Sequence, residues 1–271
     1  MLLPRRPARH TGAMTIFLNQ HHGTPGLVVL PASGWRRAQA FLASWPDVPG
    51  GVLTDHPDWA AAAGVGRLVA YENALDIAPA AFAYGARQAL YAALSRAGRG
   101  GDPAAVTLAS DDCVQVQRVA AQLGCQCSAS AAGAEWVSSY ATPGYTEIPR
   151  EIMQAYRLVP EQAGAMWTGE PPTHVVVPGG DGLLAAAVSV HLRPWGVRLV
   201  VNEPAHDAPL ISHAMGQPGR EPGLLVWQEL ERATFAYVAG PLAPHRVALA
   251  MRPDSRVLMF TEAAAGRAID A

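Results

Sequence analysis

Two turns in this 271-residue chain carry carboxylates beside small residues. Ser110, Asp111, Asp112 and Cys113 follow the apolar run AVTLA (105–109), and Gly179, Gly180, Asp181 and Gly182 follow the run THVVV (173–177). Paired carboxylates at such a place can separate their pKa values and divide acid and base work, which makes Asp111 and Asp112 candidates for proton transfer. Aspartate is also a common helix cap, so the same two residues equally suit the start of a helix. In the second turn the glycines let backbone amides approach an anion, and the dipole of the following helix favours negative charge. Asp181 opposes a phosphate there, because two like charges at low effective dielectric repel strongly. The turn therefore suits a neutral, cationic or carboxylate-bearing ligand with Asp181 as polar anchor or general base. The alternative is that Asp181 only caps the helix beginning at Gly182.

Lysine is missing from the chain: all 20 basic side chains are arginine. Compositional drift in an alanine- and arginine-rich chain explains this as well as selection does, but the chemical consequence is the same. A guanidinium stays protonated and offers no amine nucleophile, so apart from the N-terminal amine no group here can form a Schiff base. Cys113 could be a thiolate at a helix start, but the neighbouring aspartates oppose that, and a reduced structural thiol is the plainer reading. Cys125 and Cys127 have no histidine or third cysteine near them and make a poor metal site. His21, His22 and His245 lack ligand spacing.

These residues need elements to position them. Apolar runs alternate with amphipathic stretches in the manner of an α/β chain. Strands are expected at 26–30, 67–71, 105–109, 173–179, 198–204, 235–239 and 255–260, with a short one at QCSA (126–129). Helices are expected at 35–43, 80–97, 112–123, 147–158, 182–192, 207–215, 223–232 and 242–250. The order strand, glycine turn, helix, strand over 173–204 predicts a right-handed βαβ unit with parallel strands. Glu203 ends the second of those strands, at the edge where open α/β sheets bind ligands, or else it caps the next element. SASAAGAE (128–135) reads as a surface connection between lobes.

Half of the residues are apolar and 15% are charged, which predicts a folded chain. A net charge of −2 with scattered arginines argues against a nucleic-acid partner. No apolar run approaches a membrane span, and residues 1–14 read as a flexible leader without a signal core, with Met14 as an alternative start. Three cysteines in a chain of this size favour a reducing compartment, so the cytoplasm is the expected location.

The stretch PGYTEIPREIMQAY (143–156) is similar to a segment of the diaminopropionate ammonia-lyases, matching at Gly144, Tyr145, Ile148, Pro149, Ile152, Met153, Gln154 and Tyr156. The resemblance continues through PPTHVVVPGGDGLLAAAV (171–188), RLVVNEP (198–204), GLLVWQEL (223–230) and DSRVLMFTE (254–262). It extends more weakly over FLASWP (41–46), GVGRLVAYEN (64–73), AAFAYGA (80–86) and TLASDDCVQVQRVAAQLG (107–124). It implies the fold of the fold-type-II pyridoxal-phosphate enzymes, a tryptophan synthase beta-like open sheet with helices on both faces, here with a reduced small lobe. The implied organisation is one two-lobed unit over 15–271, with a small lobe at about 76–139 and a large lobe at about 15–75 plus 140–271.

Several departures bear on function. The family's cofactor lysine follows an Ala-Phe pair, and after Ala81 and Phe82 this chain has Ala83. The family's Gly-Asn-His-Gly turn, which holds the pyridoxal ring, aligns with Ser110, Asp111, Asp112 and Cys113, and the acidic residue before it with Ala109. Its terminal Thr-Glu-Gly survives as Thr261 and Glu262, with Ala263 in place of the glycine. The resemblance also places Tyr145 near the substrate side of the cleft, as a donor to ligand or as helix-start packing.

The sequence thus predicts no cofactor and no metal, and a small-molecule ligand. Asp111, Asp112, Asp181 and Tyr145 are the candidate catalytic residues; Ser110, Phe82, Gly179, Gly180, Gly182, Glu203 and Thr261 are the candidate ligand-binding ones. The first expectation is a pyridoxal-phosphate-independent lyase, cyclase or isomerase, with natural-product biosynthesis as a setting. The second is a non-catalytic pseudoenzyme that binds a ligand or a partner. The third is an ammonia-lyase-like protein holding pyridoxal phosphate non-covalently. Dimers are common among relatives of this fold, so the resemblance extends to a homodimer.

Overall fold

In a computed structural model, residues 15–46, 48–97, 101–204, 207–240 and 249–261 are described. The chain begins with β1 (Thr15–Leu18), α1 (Ala32–Leu42), β2 (Val52–Asp55), α2 (Pro57–Ala63), β3 (Arg67–Glu72) and α3 (Ala78–Ala97). Then come β4 (Thr107–Ala109), α4 (Cys113–Leu123), β5 (Gln126–Ser128), β6 (Glu135–Trp136), α5 (Glu147–Tyr156) and α6 (Leu158–Met166). The last part holds β7 (His174–Pro178), α7 (Leu183–Leu192), β8 (Arg198–Glu203), α8 (Pro209–Ala214), α9 (Leu224–Ala233), β9 (Thr234–Ala239) and β10 (Arg256–Phe260).

Seven strands form one sheet in the order β1-β9-β8-β7-β10-β3-β2. Its inner neighbours run parallel, while β1 on β9 and β2 on β3 run antiparallel at the two edges. The inner strands are apolar almost throughout because both faces are covered, as parallel sheets require. Side chains alternate across the pleat: Val175, Val177 and Val201 join the larger core beneath α1, α3, α5, α7 and α9, while Val176, Val200 and Val257 join a smaller core with Ala60 of α2. The expected βαβ unit is present as β7-α7-β8, with Val175 opposite Leu199 and Val177 opposite Val201. α7 has eight buried residues, from Leu183 to Ser189 and Leu192, and so is apolar all round as an enclosed crossover helix should be.

A second sheet of three parallel strands, β5-β4-β6, lies within the segment expected to form the small lobe. β4 leads into α4, whose first turn is capped by Asp112 and whose last is closed by Gly124 at φ 70°.

Several sequence expectations need correcting. GLVVL (26–30) is irregular: Val29 and Leu30 are buried, but Leu27 and Val28 are each 72% exposed, so the run inserts its end into the core without pairing in the sheet. The helix expected at 147–158 ends at Tyr156, and α6 follows it. The 128–135 connection ends in β6. The leader 1–14, His245, Glu262, Ala263 and most of the expected helix 242–250 lie outside the described residues.

Candidate functional site

An open-mouthed cavity of about 570 Å³ lies over the end of β4, lined by Asp111, Trp136, Ser138, Tyr140, Thr142, Tyr145 and Arg220. The chain from 136 to 145 wraps it. Pro143 and Gly144, the latter at φ 86°, turn the backbone back, and Thr142 and Tyr145 exchange both backbone hydrogen bonds at 3.1 and 2.9 Å. The loop bearing Arg220 is tied to this wall. The Tyr140 hydroxyl donates to Glu221 O at 3.1 Å, and Leu224 N donates to Ala141 O at 2.9 Å.

Asp111 reaches the cavity from the turn after β4. Its Oδ1 accepts from Ser110 Oγ at 3.1 Å, and the same hydroxyl accepts from Asp112 N at 3.2 Å, so the buried Ser110 is spent on shaping the turn. Asp112 is exposed and points elsewhere, its carboxylate accepting Gln115 N at 2.9 Å as the cap of α4. The two aspartates therefore do not face one another across a shared proton. Cys113 and Cys127 are exposed and Cys125 is partly buried; all three are free thiols.

Tyr145 borders the cavity with its ring, but its hydroxyl is committed to the backbone. It donates to Trp136 O and accepts from Ser138 N, each at 2.9 Å. Burial, reinforced by the charge of Asp111, pushes the phenol up to about 12, so it does not ionise near neutrality.

Asp181 sits at the start of α7, its side chain reaching solvent while protein surrounds it on most sides. Its Oδ1 accepts Leu183 N at 3.1 Å, within a turn whose glycines Gly180 and Gly182 take φ 50° and 82°. Burial holds this carboxyl above the usual range, countered by the two backbone bonds and by the charge of Arg220. Arg220 thus connects the two turns, bordering the cavity of Asp111 while its field reaches Asp181.

The remaining candidates make the following contacts within the protein. Glu203 is 1% exposed, and its carboxylate accepts Leu210 N and Ile211 N at 3.1 and 2.8 Å, fastening α8 to the end of β8. Gly179 is required where it stands because a Cβ there would overlap Glu203, and its N–H donates to Asn202 O at 2.8 Å. Gly182 likewise abuts Val226. Thr261 is buried and bonded to Tyr71 O through its N–H at 3.0 Å. Phe82 packs partly buried against the core, and Ala83 borders a different cavity of about 130 Å³, between α3, α4 and the 45–49 segment.

Of the residues singled out from the sequence, Asp111 and Tyr145 border this cavity; Arg220, Trp136, Ser138, Tyr140 and Thr142 also line it and were not among them. The density of aromatic and hydroxyl side chains in EWVSSYATPGY (135–145) was the available signal. Among the described residues no group of three histidine, cysteine, aspartate or glutamate side chains is placed to hold a metal, and no helix is long and apolar enough to cross a membrane.

A large, mostly parallel sheet flanked by helices is the architecture of the fold-type-II pyridoxal-phosphate enzymes, and the chain has that fold. It aligns with holo diaminopropionate ammonia lyase from Escherichia coli at 17% identity, covering 93% of this chain and 94% of that one, with a TM-score of 0.73. The same enzyme in complex with an aminoacrylate-PLP azomethine reaction intermediate aligns at 16% identity over 92% and 93% of the two chains, TM-score 0.68. The processed form of threonine deaminase isoform 2 from Solanum lycopersicum aligns at 10% over 94% and 89%, TM-score 0.54. No family model matches the chain, and no curated sequence matches it either.

These neighbours correct one expectation. The fold is shared with enzymes that work with pyridoxal phosphate, so the prediction of no cofactor is withdrawn. The residues present do not fit that group as a lysine-linked cofactor: the chain has no lysine, and at the start of α7 the Leu183 N–H that would face an anion already serves Asp181.

Proposed function

We propose that this protein binds a small zwitterionic molecule in the cavity between Asp111 and Arg220, as a ligand-binding member of its fold. One observation carries the reading. Asp111 and Arg220 border the same cavity, yet among the described residues neither forms an ion pair, and the Arg220 guanidinium has no hydrogen bond. Opposite charges that form no ion pair in one recess suit a ligand with the complementary pair, a cation for Asp111 and a carboxylate for Arg220, whose field also reaches Asp181. Binding is favoured over acid–base turnover because Asp112 caps α4, Asp181 caps its own turn and the Tyr145 hydroxyl is bonded on both sides.

Titration calorimetry with ω-amino carboxylates, and with the matching amines and carboxylates alone, tests this. The zwitterions should bind best, and Asp111→Asn or Arg220→Gln should each weaken them on the order of tenfold. Equal affinity for the singly charged compounds, or indifference to both substitutions, would overturn it.

The fold favours a second reading, in which pyridoxal phosphate is held without a covalent link, because the neighbour solved with an aminoacrylate-PLP azomethine shares the architecture. Adding pyridoxal phosphate and following its visible absorption decides this: saturable binding of the free-aldehyde form supports it, and no binding removes it.

A further inference from the structure

The cavity brings three aromatic rings to one carboxylate. A primary ammonium brings three N–H donors that each want a partner. Asp111 supplies a carboxylate. The Tyr145 hydroxyl is committed to Trp136 O and Ser138 N, and the Tyr140 hydroxyl donates to Glu221 O. Ser138 Oγ, in turn, accepts from Tyr140 N at 3.2 Å. The Tyr140 and Ser138 hydroxyls keep lone pairs and Thr142 adds another hydroxyl, so acceptors alone do not select the cation.

Three rings border it: Trp136, Tyr140 and Tyr145. Among the described residues none of the three packs against another aromatic ring, and no arginine stacks on any of them, although five such arginine contacts occur elsewhere in the chain. Aromatic faces attract a cation through the ring quadrupole, and several around one carboxylate select a diffuse cation that needs no hydrogen bonds.

We propose that the cation received here is an alkylated ammonium, so that the ligand is a betaine-type zwitterion. Its trialkylammonium end lies among Trp136, Tyr140 and Tyr145 with Asp111 as counter-charge, and its carboxylate on Arg220. This rests on the zwitterion reading above and narrows it to a chemical class. A fully alkylated nitrogen presents its charge through alkyl groups, which gain from contact with the three rings.

Calorimetry on the full chain with two probe series of matched chain length, ω-trimethylammonio carboxylates and ω-amino carboxylates, tests the assignment. The methylated series should bind about tenfold more tightly. Trp136→Ala should erase that preference, whereas Trp136→Phe, which keeps a ring, should retain most of it. Should Trp136→Ala fail to fold, Tyr140→Leu at the surface carries the same comparison. Equal or tighter binding of the amino series overturns the alkylated-ammonium assignment and leaves the zwitterion reading standing. Binding of neither series overturns both.

Discussion

The Tyr145 hydroxyl bridges Trp136 and Ser138, donating to the carbonyl of one and accepting the N–H of the other at 2.9 Å each. This phenol fixes the wall that carries Trp136 against the turn formed by Pro143 and Gly144. Tyr145→Phe would leave the Ser138 N–H, in a residue only 6% exposed, without its acceptor. We expect a loss of about 1–3 kcal/mol in chemical denaturation. Ligand affinity should fall with it, because the ring behind the lost hydroxyl is free to shift. A variant as stable as the parent would mean that the bridge does not hold the wall.

Gly182→Ala tests the second turn. The residue takes φ 82°, and a Cβ would overlap Cγ1 of Val226 on α9, so strain and crowding act together. The expected cost is about 1–3 kcal/mol, read as a lower urea midpoint. Gly180→Ala is the control: its φ is 50° but nothing lies within 4 Å of the added carbon, so it should lose less.

Asp181→Asn separates capping from charge. Asparagine caps as well as aspartate, so the turn should persist. Burial raises the folded pKa of Asp181, so its contribution to stability is present below the unfolded value of 3.8 and lost as pH rises through the folded one. The asparagine variant lacks that loss, and its stability relative to the parent should improve from acidic to neutral pH. A difference independent of pH would contradict the raised carboxyl.

His174 predicts acid sensitivity. It is 1% exposed, its Nε2 donates to Leu249 O at 2.9 Å, and its Nδ1 lies 2.8 Å from Thr173 Oγ1. Burial, with the charge of Arg198, lowers its pKa below the ordinary 6.5, against the opposing effect of the Leu249 bond. A depressed histidine contributes stability that is full above 6.5 and is lost as pH falls through the folded value. His191, lowered by burial and by Arg157 despite Glu161, acts in the same direction. Denaturation midpoints should hold above pH 6.5 and drop below it, and His174→Asn should show a shallower drop.

The sequence alone determined the enclosed β7-α7-β8 unit, because Val-rich runs bounded by a glycine turn fit only strands covered on both faces. It also settled that no lysine amine is available, since a residue type missing from the chain is missing from every conformation of it. Short edge strands such as β1 and β2 were not legible: four residues carry too little periodicity, and their pairing is decided by strands far along the chain. GLVVL looked like a strand because its composition suits one, but no neighbour was there to pair with it. The helix starts of Asp112 and Asp181 were among the sequence readings, but only the tertiary structure brought Asp111 to a cavity. Arg220, in the irregular stretch GQPGREPG (216–223), owes its position to bonds that its neighbours make with residues about eighty positions away. A capping side chain answers to its own few residues of backbone, which a sequence shows, whereas an unpaired charge in a recess is defined by everything folded around it.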